Sequence, residues 1–223
     1  MENKKHIVIF SHGFGVRKDD RGILSDIAHF LPEVESILFD YFIIDEENMT
    51  LTVCPFSVQV EILSKVIKEA RMANPDAIID LVCHSQGTVV AGLLQSEEIR
   101  KTIFLAPVFD LGLERTLKRY SSKPDTEINL EGMSTLYRLD GYVRFVPAEY
   151  WAERKEIKLI EEYNVLAEKT ELIVIEANQD TILEKVDISS LSAKARLLSI
   201  DGNHEFGGEN RKPLLELVRS LVI

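Results

Sequence analysis

The sequence predicts an α/β fold, a mostly parallel, twisted sheet with helices on both faces, and three observations carry that expectation. Short apolar runs alternate with longer segments of helical period along the 223 residues. The runs are continuous in hydrophobicity, as in strands buried on both faces. Apolar residues make up 45% of the chain, enough for one large core, so a single domain over 1–223 is expected without help from disulfides or metal.

The first strand is placed at 5–10, around Ile7-Val8-Ile9-Phe10. Others follow at about 36–42, 77–82, 102–106, 170–176 and 196–201, with a further short strand near 51–54. Helical stretches lie at 22–31, 56–73, 86–95, 184–190 and 209–222. In the second of these, Val60, Leu63, Val66, Ile67 and Ala70 keep one face apolar, and that face should pack on the sheet. Residues 108–169 interrupt the rhythm, because about 60 residues separate two core strands where a crossover needs about a dozen. The segment holds a basic helical piece at 111–120, a polar stretch with Pro124, and two alternating runs about Leu136 and Val143. Asp140-Gly141 can join those runs as a hairpin, and an amphipathic helix follows Pro147. An insertion of this size is expected as a small cap over the carboxyl ends of the strands, where open α/β sheets bind ligands.

Lys plus Arg number 26 against 37 Asp plus Glu, a formal charge of −11. A field of that sign repels phosphate backbones and anionic lipids, so neither nucleic acid nor a membrane surface is an expected partner. Cys54 and Cys83 are far apart, and Cys83 lies in an apolar run, which fits a reducing, cytoplasmic setting. Met1-Glu2-Asn3-Lys4-Lys5-His6 is followed by an apolar run too brief for a signal-peptide core or a membrane span. No metal-ligand spacing links the cysteines and histidines, and no metal is expected. The Lys and Arg clusters at 115–123 and 154–158 are read as solvated helix faces. Oligomeric state is left open.

The most specific motif is Leu81-Val82-Cys83-His84-Ser85-Gln86-Gly87-Thr88-Val89-Val90-Ala91. A buried strand runs through a polar pentapeptide into a helix of small residues, which is the pattern of a nucleophile elbow. There a serine hydroxyl stands above the sheet edge, near the positive end of the following helix. Small residues are needed two positions to either side. Gly87 meets that need, whereas Cys83 adds a thiol where glycine is usual. The competing account, that Ser85 merely caps the helix, leaves the strand, the turn and Gly87 unexplained. After the first strand comes Ser11-His12-Gly13-Phe14-Gly15. From it the Phe14 N–H is assigned as one oxyanion donor and the Gln86 N–H as the other. An ordinary βα turn would also use these glycines, but a dinucleotide site would need a third glycine and a better placed acid than Asp40.

The strand Leu172-Ile173-Val174-Ile175 leads into Glu176-Ala177-Asn178-Gln179-Asp180, and Leu197-Leu198-Ser199-Ile200 leads into Asp201-Gly202-Asn203-His204. Ser85, Asp180 and His204 thus come from three strand ends in the order nucleophile, acid, base. Their types suit acyl transfer: His204 takes the serine proton during attack, and Asp180 fixes the imidazole tautomer and stabilises the imidazolium. Asp110, after the strand at 102–106, stays open as an alternative acid. Of the other histidines, His6 starts a strand, His29 is solvated or partly buried, His84 is structural and His12 orders the oxyanion loop.

With these four motifs in order, the chain resembles the α/β-hydrolase superfamily over its full length. The His-Gly-Phe loop, the His-Ser-Gln-Gly elbow, Leu105-Ala106-Pro107 and the inserted segment are similar to small bacterial carboxylesterases of the feruloyl and cinnamoyl esterase type. That resemblance implies a cofactor-free serine esterase acting on esters of short aliphatic or aromatic acids, with the insertion roofing the site. Leu136, Tyr137, Tyr142, Phe145, Tyr150 and Trp151 are then candidate walls of an apolar pocket. A thioesterase or amidase would use the same residues, and a binding protein on a hydrolase scaffold would keep the loops behind a blocked cap.

Overall fold

The computed structural model describes residues 4–121, 123–137, 140–183 and 185–223. Its centre is a six-stranded sheet: β1 (His6–Ser11), β2 (Glu35–Leu38), β5 (Ile78–His84), β6 (Lys101–Leu105), β9 (Glu171–Ala177) and β10 (Arg196–Ile200). The order is β10-β9-β6-β5-β1-β2, and every pairing is parallel. Numbering runs outward in both directions from the β1–β5 pair, so that pair is the topological switch point, beyond whose carboxyl ends such sheets bind ligands.

Period-two alternation assigns the sheet's two faces. Ile7 and Ile9 of β1 pack with α2 (Phe56–Ala73), α3 (Gln86–Leu94) and α6 (Leu159–Lys169), through Leu63, Ile67, Val89, Val90, Tyr163 and Leu166. Val8 and Phe10 face the other way, against α1 (Ile23–Phe30) and α7 (Arg211–Val222), through Ile23, Leu24, Ile27, Leu214 and Val218. The first face is the larger because it also carries most of the segment inserted after β6.

That segment forms α4 (Leu113–Ser121), a hairpin of β7 (Ser134–Tyr137) and β8 (Val143–Val146), α5 (Ala148–Glu156) and then α6. The hairpin joins β3 (Ile43–Asp45) and β4 (Thr50–Thr52) in a second sheet of order β3-β4-β8-β7. Arg144 of β8 is buried there, its guanidinium paired with Asp140, its Nη1 donating to the Tyr142 carbonyl at 2.6 Å and its Nε to the Gly15 carbonyl at 2.9 Å. One charged side chain therefore ties the small sheet to the loop after β1. α6 belongs to the main layers. Its Tyr163 ring packs against Gly92 of α3, where a Cβ would fall 2.7 Å from the ring, and its hydroxyl donates to the Val108 carbonyl at 2.7 Å.

Several elements differ from expectation, among them β3, a strand the sequence pattern does not mark. The second strand ends at Leu38, not 42, because the chain turns inward there. The Tyr41 hydroxyl reaches Ser11 Oγ at 2.8 Å, and Asp40 accepts the Lys18 N–H at 2.7 Å. The helix expected at 184–190 begins at a position outside the described residues, and 185–190 contain no helix. Polar side chains take the backbone groups there: Asp187 accepts the Ser189 N–H, and Asn164 holds the Ser190 carbonyl and the Ser192 N–H. The helix after Pro147 is two, α5 and α6, with Ile157 extended between them.

The start of α3 passes very close to the sheet. A Cβ on Gly87 would lie 2.2 Å from the Ser11 carbonyl oxygen, which belongs to the backbone of β1. Gly87→Ala should therefore destabilise the fold by about 1–3 kcal/mol, lowering the calorimetric melting temperature by roughly 2–4 °C per kcal/mol. An unchanged melting temperature would show that helix and strand can part without cost.

Candidate active site

β5 ends in a residue with a strained backbone. Ser85 has φ 51° and ψ −121°, and its side chain is thrown out of the sheet between β5 and α3. Neighbours hold the strain in place: the Ser85 N–H donates to the Leu105 carbonyl at 3.0 Å, and the Ser85 carbonyl accepts the Thr88 N–H at 3.0 Å and the Thr88 hydroxyl at 2.7 Å. Cys83, where glycine is usual, is fully buried in the larger apolar cluster, and burial pushes its thiol well above the ordinary value.

The structure brings the three predicted residues together. Ser85 Oγ lies 2.9 Å from His204 Nε2, and His204 Nδ1 lies 2.7 Å from Asp180 Oδ2. The other Asp180 oxygen accepts the N–H groups of Ile182 at 2.7 Å and Leu183 at 3.1 Å, so its loop closes around the carboxylate. Burial raises the Asp180 pKa, but the hydrogen bond and charge of His204 and the two N–H donors outweigh it, and the carboxyl sits below the usual range. Burial lowers the His204 pKa, and the neighbouring His84 adds to that against the pull of Asp180, leaving the imidazole below its ordinary value. His204 is thus neutral near pH 7, the state able to accept a proton. Asp110, the alternative acid, accepts the Gly112 N–H at 2.8 Å and lines the cleft, while the carboxylate on the histidine is that of Asp180.

The loop after β1 passes directly over Ser85, a Cβ on Gly13 falling 3.3 Å from that of Ser85. His12 orders this loop by accepting the Tyr41 N–H at Nε2 (3.0 Å) and donating from Nδ1 to the Gly13 carbonyl (3.0 Å). Phe14 and Gln86 both border the cleft beside Ser85. The Gln86 N–H is the first of α3, where helix N–H groups lack intrahelical partners and the dipole is positive.

The cleft is open to solvent and is walled by Phe14, Val108, Leu111, Tyr150, Trp151 and Leu183, with Arg119 and Arg154 also bordering it. Of the aromatic wall candidates, Trp151 and Tyr150 are in place. Tyr137, Tyr142 and Phe145 are not, because pairing with β4 carries the hairpin into the second sheet. Tyr137 is 46% exposed, the Tyr142 hydroxyl is bonded to Glu46, and Phe145 faces away from the buried Arg144 and Val146. Leu136 is core. Arg154, expected on a solvated face, instead donates to the Leu111 carbonyl at 2.8 Å and the Thr116 hydroxyl at 2.8 Å.

A polar chain missed at the sequence level fixes the Gln86 side chain. Gln59 donates to the Cys54 carbonyl at 2.6 Å, Gln86 donates to Gln59 Oε1 at 3.0 Å, and the Tyr150 hydroxyl donates to Gln86 Oε1 at 2.6 Å. Its members are far apart in sequence, so no local pattern could reveal it. Asp20, also missed, lies in the charged run Lys18-Asp19-Asp20-Arg21, which looks solvated, yet its side chain is fully buried beneath the loop after β1. Among the described residues, no group of three or more His, Cys, Asp or Glu is placed to hold a metal ion, and no helix is long and apolar enough to cross a membrane.

No protein-family model matches the sequence, and no curated protein matches it significantly. Solved structures do match. Est1E from Butyrivibrio proteoclasticus, in a structure with ferulic acid bound, superposes with a TM-score of 0.72 at 16% identity, over 98% of this chain and 88% of that one. The esterase domain of a Rhodothermus marinus protein gives 0.68 at 14% identity, over 99% and 88%. The thioesterase domain from the curacin biosynthetic pathway gives 0.61 at 14% identity, over 97% and 91%. With identities of 14–16%, the likeness is one of backbone architecture: this chain has the α/β-hydrolase fold.

Proposed function

We propose that the protein is a serine hydrolase that cleaves small carboxylic esters through an acyl-enzyme formed at Ser85. The observation that carries the reading is the continuous line from Ser85 Oγ through His204 to Asp180, with contacts of 2.9 and 2.7 Å. Ser85 Oγ attacks the ester carbonyl carbon while its proton passes to His204 Nε2. The carbonyl oxygen, now negative, is received by the N–H groups of Phe14 and Gln86. His204 then protonates the departing alkoxide, and the acyl group remains on Ser85. A water, deprotonated by the same nitrogen, attacks that ester, and collapse of the second tetrahedral intermediate returns the Ser85 hydroxyl and releases the acid. Asp180 stays ionised throughout and stabilises the imidazolium.

The cleft supports an apolar or aryl group on the substrate, since Phe14, Val108, Leu111, Tyr150 and Trp151 line it beside Ser85. Likeness to a structure holding ferulic acid agrees with such a guest. The thioesterase domain among the similar structures gives a thioester as the second reading, with the same residues in the same roles.

Turnover of para-nitrophenyl acetate and butyrate should fall by about 10⁴–10⁶ in Ser85→Ala; equal rates in the two proteins would reject the assignment. A fluorophosphonate probe should add to Ser85 in intact-mass analysis, and no adduct would favour a binding protein on this scaffold. Faster turnover of acyl-CoA than of matched oxygen esters would move the assignment to the thioester reading.

His204 must be neutral to accept the serine proton, so kcat/KM should rise with pH as the imidazole loses its own. Because its pKa is lowered, the midpoint of that acid limb should fall below the ordinary imidazole value of about 6.5. A midpoint above it would mean that the imidazolium is favoured at this site.

A further inference from the structure

Two buried imidazoles flank the loop after β1, and their partners fix them in opposite states. His12 accepts an N–H at Nε2 and donates from Nδ1, so its ring holds one proton and is neutral. His84, the residue before Ser85, is fully buried and meets two acceptors. Its Nδ1 lies 2.7 Å from Asp20 Oδ2, and its Nε2 lies 2.8 Å from the backbone carbonyl oxygen of His204. With Asp20 ionised, both partners can only accept, so both ring nitrogens donate and the ring is an imidazolium. Asp20 Oδ2 also accepts the Gly13 N–H at 2.7 Å. One pair of side chains thus spans the oxyanion loop, the elbow and the backbone of the proposed general base.

We propose that His84 and Asp20 form a constitutively charged, buried imidazolium–carboxylate pair that acts as a positioning unit for Ser85 chemistry. Asp20 sets the Gly13-Phe14 segment, and His84 sets the main chain of His204. The kinetic role rests on the esterase reading above, while the charge state rests on the hydrogen-bond geometry together with an ionised Asp20. Neither residue touches the reacting atoms; both act through the groups that do.

The charges around the pair agree. Burial opposes the His84 cation, but the charge and hydrogen bond of Asp20 outweigh it and hold the imidazole above its ordinary value. Burial likewise opposes ionisation of Asp20, but the charge and hydrogen bond of His84 and the Gly13 N–H bring the carboxyl down to about 2. Arg21 also opposes the His84 cation, and it is paired with Glu205, next to His204. The rings of His84 and His204 are 5.0 Å apart, so the fixed cation opposes protonation of His204 and Asp20 favours it, with His84 the stronger influence. His204 thereby keeps its base form at lower pH than it otherwise would.

The proton count can be read directly from ¹⁵N–¹H correlations of the histidine rings in the wild-type protein. Near pH ~8, where free imidazole is neutral, His84 should show both nitrogens protonated and His12 one. A singly protonated His84 overturns the proposal. Asp20→Asn tests the positioning role, because an amide oxygen can still accept the Gly13 N–H but brings no negative charge to hold an imidazolium at His84. The rate of fluorophosphonate addition to Ser85 and kcat should fall about 10–100-fold, with little change in KM, and the acid limb should move to higher pH as the cation beside His204 is lost. A merely structural role would lower activity without moving that limb. His84→Gln removes the cation and leaves the carboxylate, so it should move the limb in the same direction; it serves as the kinetic test if Asp20→Asn does not fold. Folded variants with unchanged rate and acid limb overturn the positioning role. A wild-type protein inert to the probe overturns the esterase reading and the kinetic role with it, while the ring-proton count still decides whether the ion pair exists.

Discussion

The site depends on one forced reversal of the chain, at Ser85. A non-glycine residue at φ 51° and ψ −121° is strained by about 1–3 kcal/mol, and it persists because both arms of the turn are immobile. On one side β5 is locked between β1 and β6, with Ile79, Leu81, Val82 and Cys83 essentially inaccessible to solvent. On the other, α3 presses so closely on Ser11 that only hydrogen fits at Gly87. The strain is what exposes the hydroxyl, and the rigid sheet is what aligns it with two loops that approach from other strands.

The parts of this arrangement that are legible in the sequence are those written by local rules. A strand buried on both faces is a continuous apolar run, so β1, β5, β6 and β9 can be found from hydrophobicity alone, and the elbow is recognisable because a strand, a serine and a glycine at fixed spacing have few other uses. Asp180 and His204 follow from their places just beyond strand ends. What the sequence hides is set by distant partners. Tyr137, Tyr142 and Phe145 look like pocket walls until β4, far away in the chain, pairs with β8 and turns them elsewhere. Asp20 looks solvated until its side chain is seen beneath Gly13. The helix expected to start at 184 is absent over 185–190, where distant Asn164, on α6, holds the Ser190 carbonyl.

Three histidines share a small volume around the serine, and hydrogen bonding gives each a different task. His12 is held neutral by a backbone N–H pointed at its ring. His84 is flanked by two acceptors. His204, between a hydroxyl and a carboxylate, can gain and lose a proton without repacking, because each of those partners serves both of its states. Burial would drive all three toward neutrality, so the differences come from the partners that the fold supplies.

Arg144 gives the small sheet a role in how such a molecule can be reshaped. Its guanidinium reaches from the hairpin to the Gly15 carbonyl, so the hairpin and the loop after β1 share one buried cation. Trimming the hairpin, or exchanging it for that of another protein, would strand this charge or leave the carbonyl bare. A chimera that keeps a working loop must therefore transplant Gly15, Asp140 and Arg144 as a set.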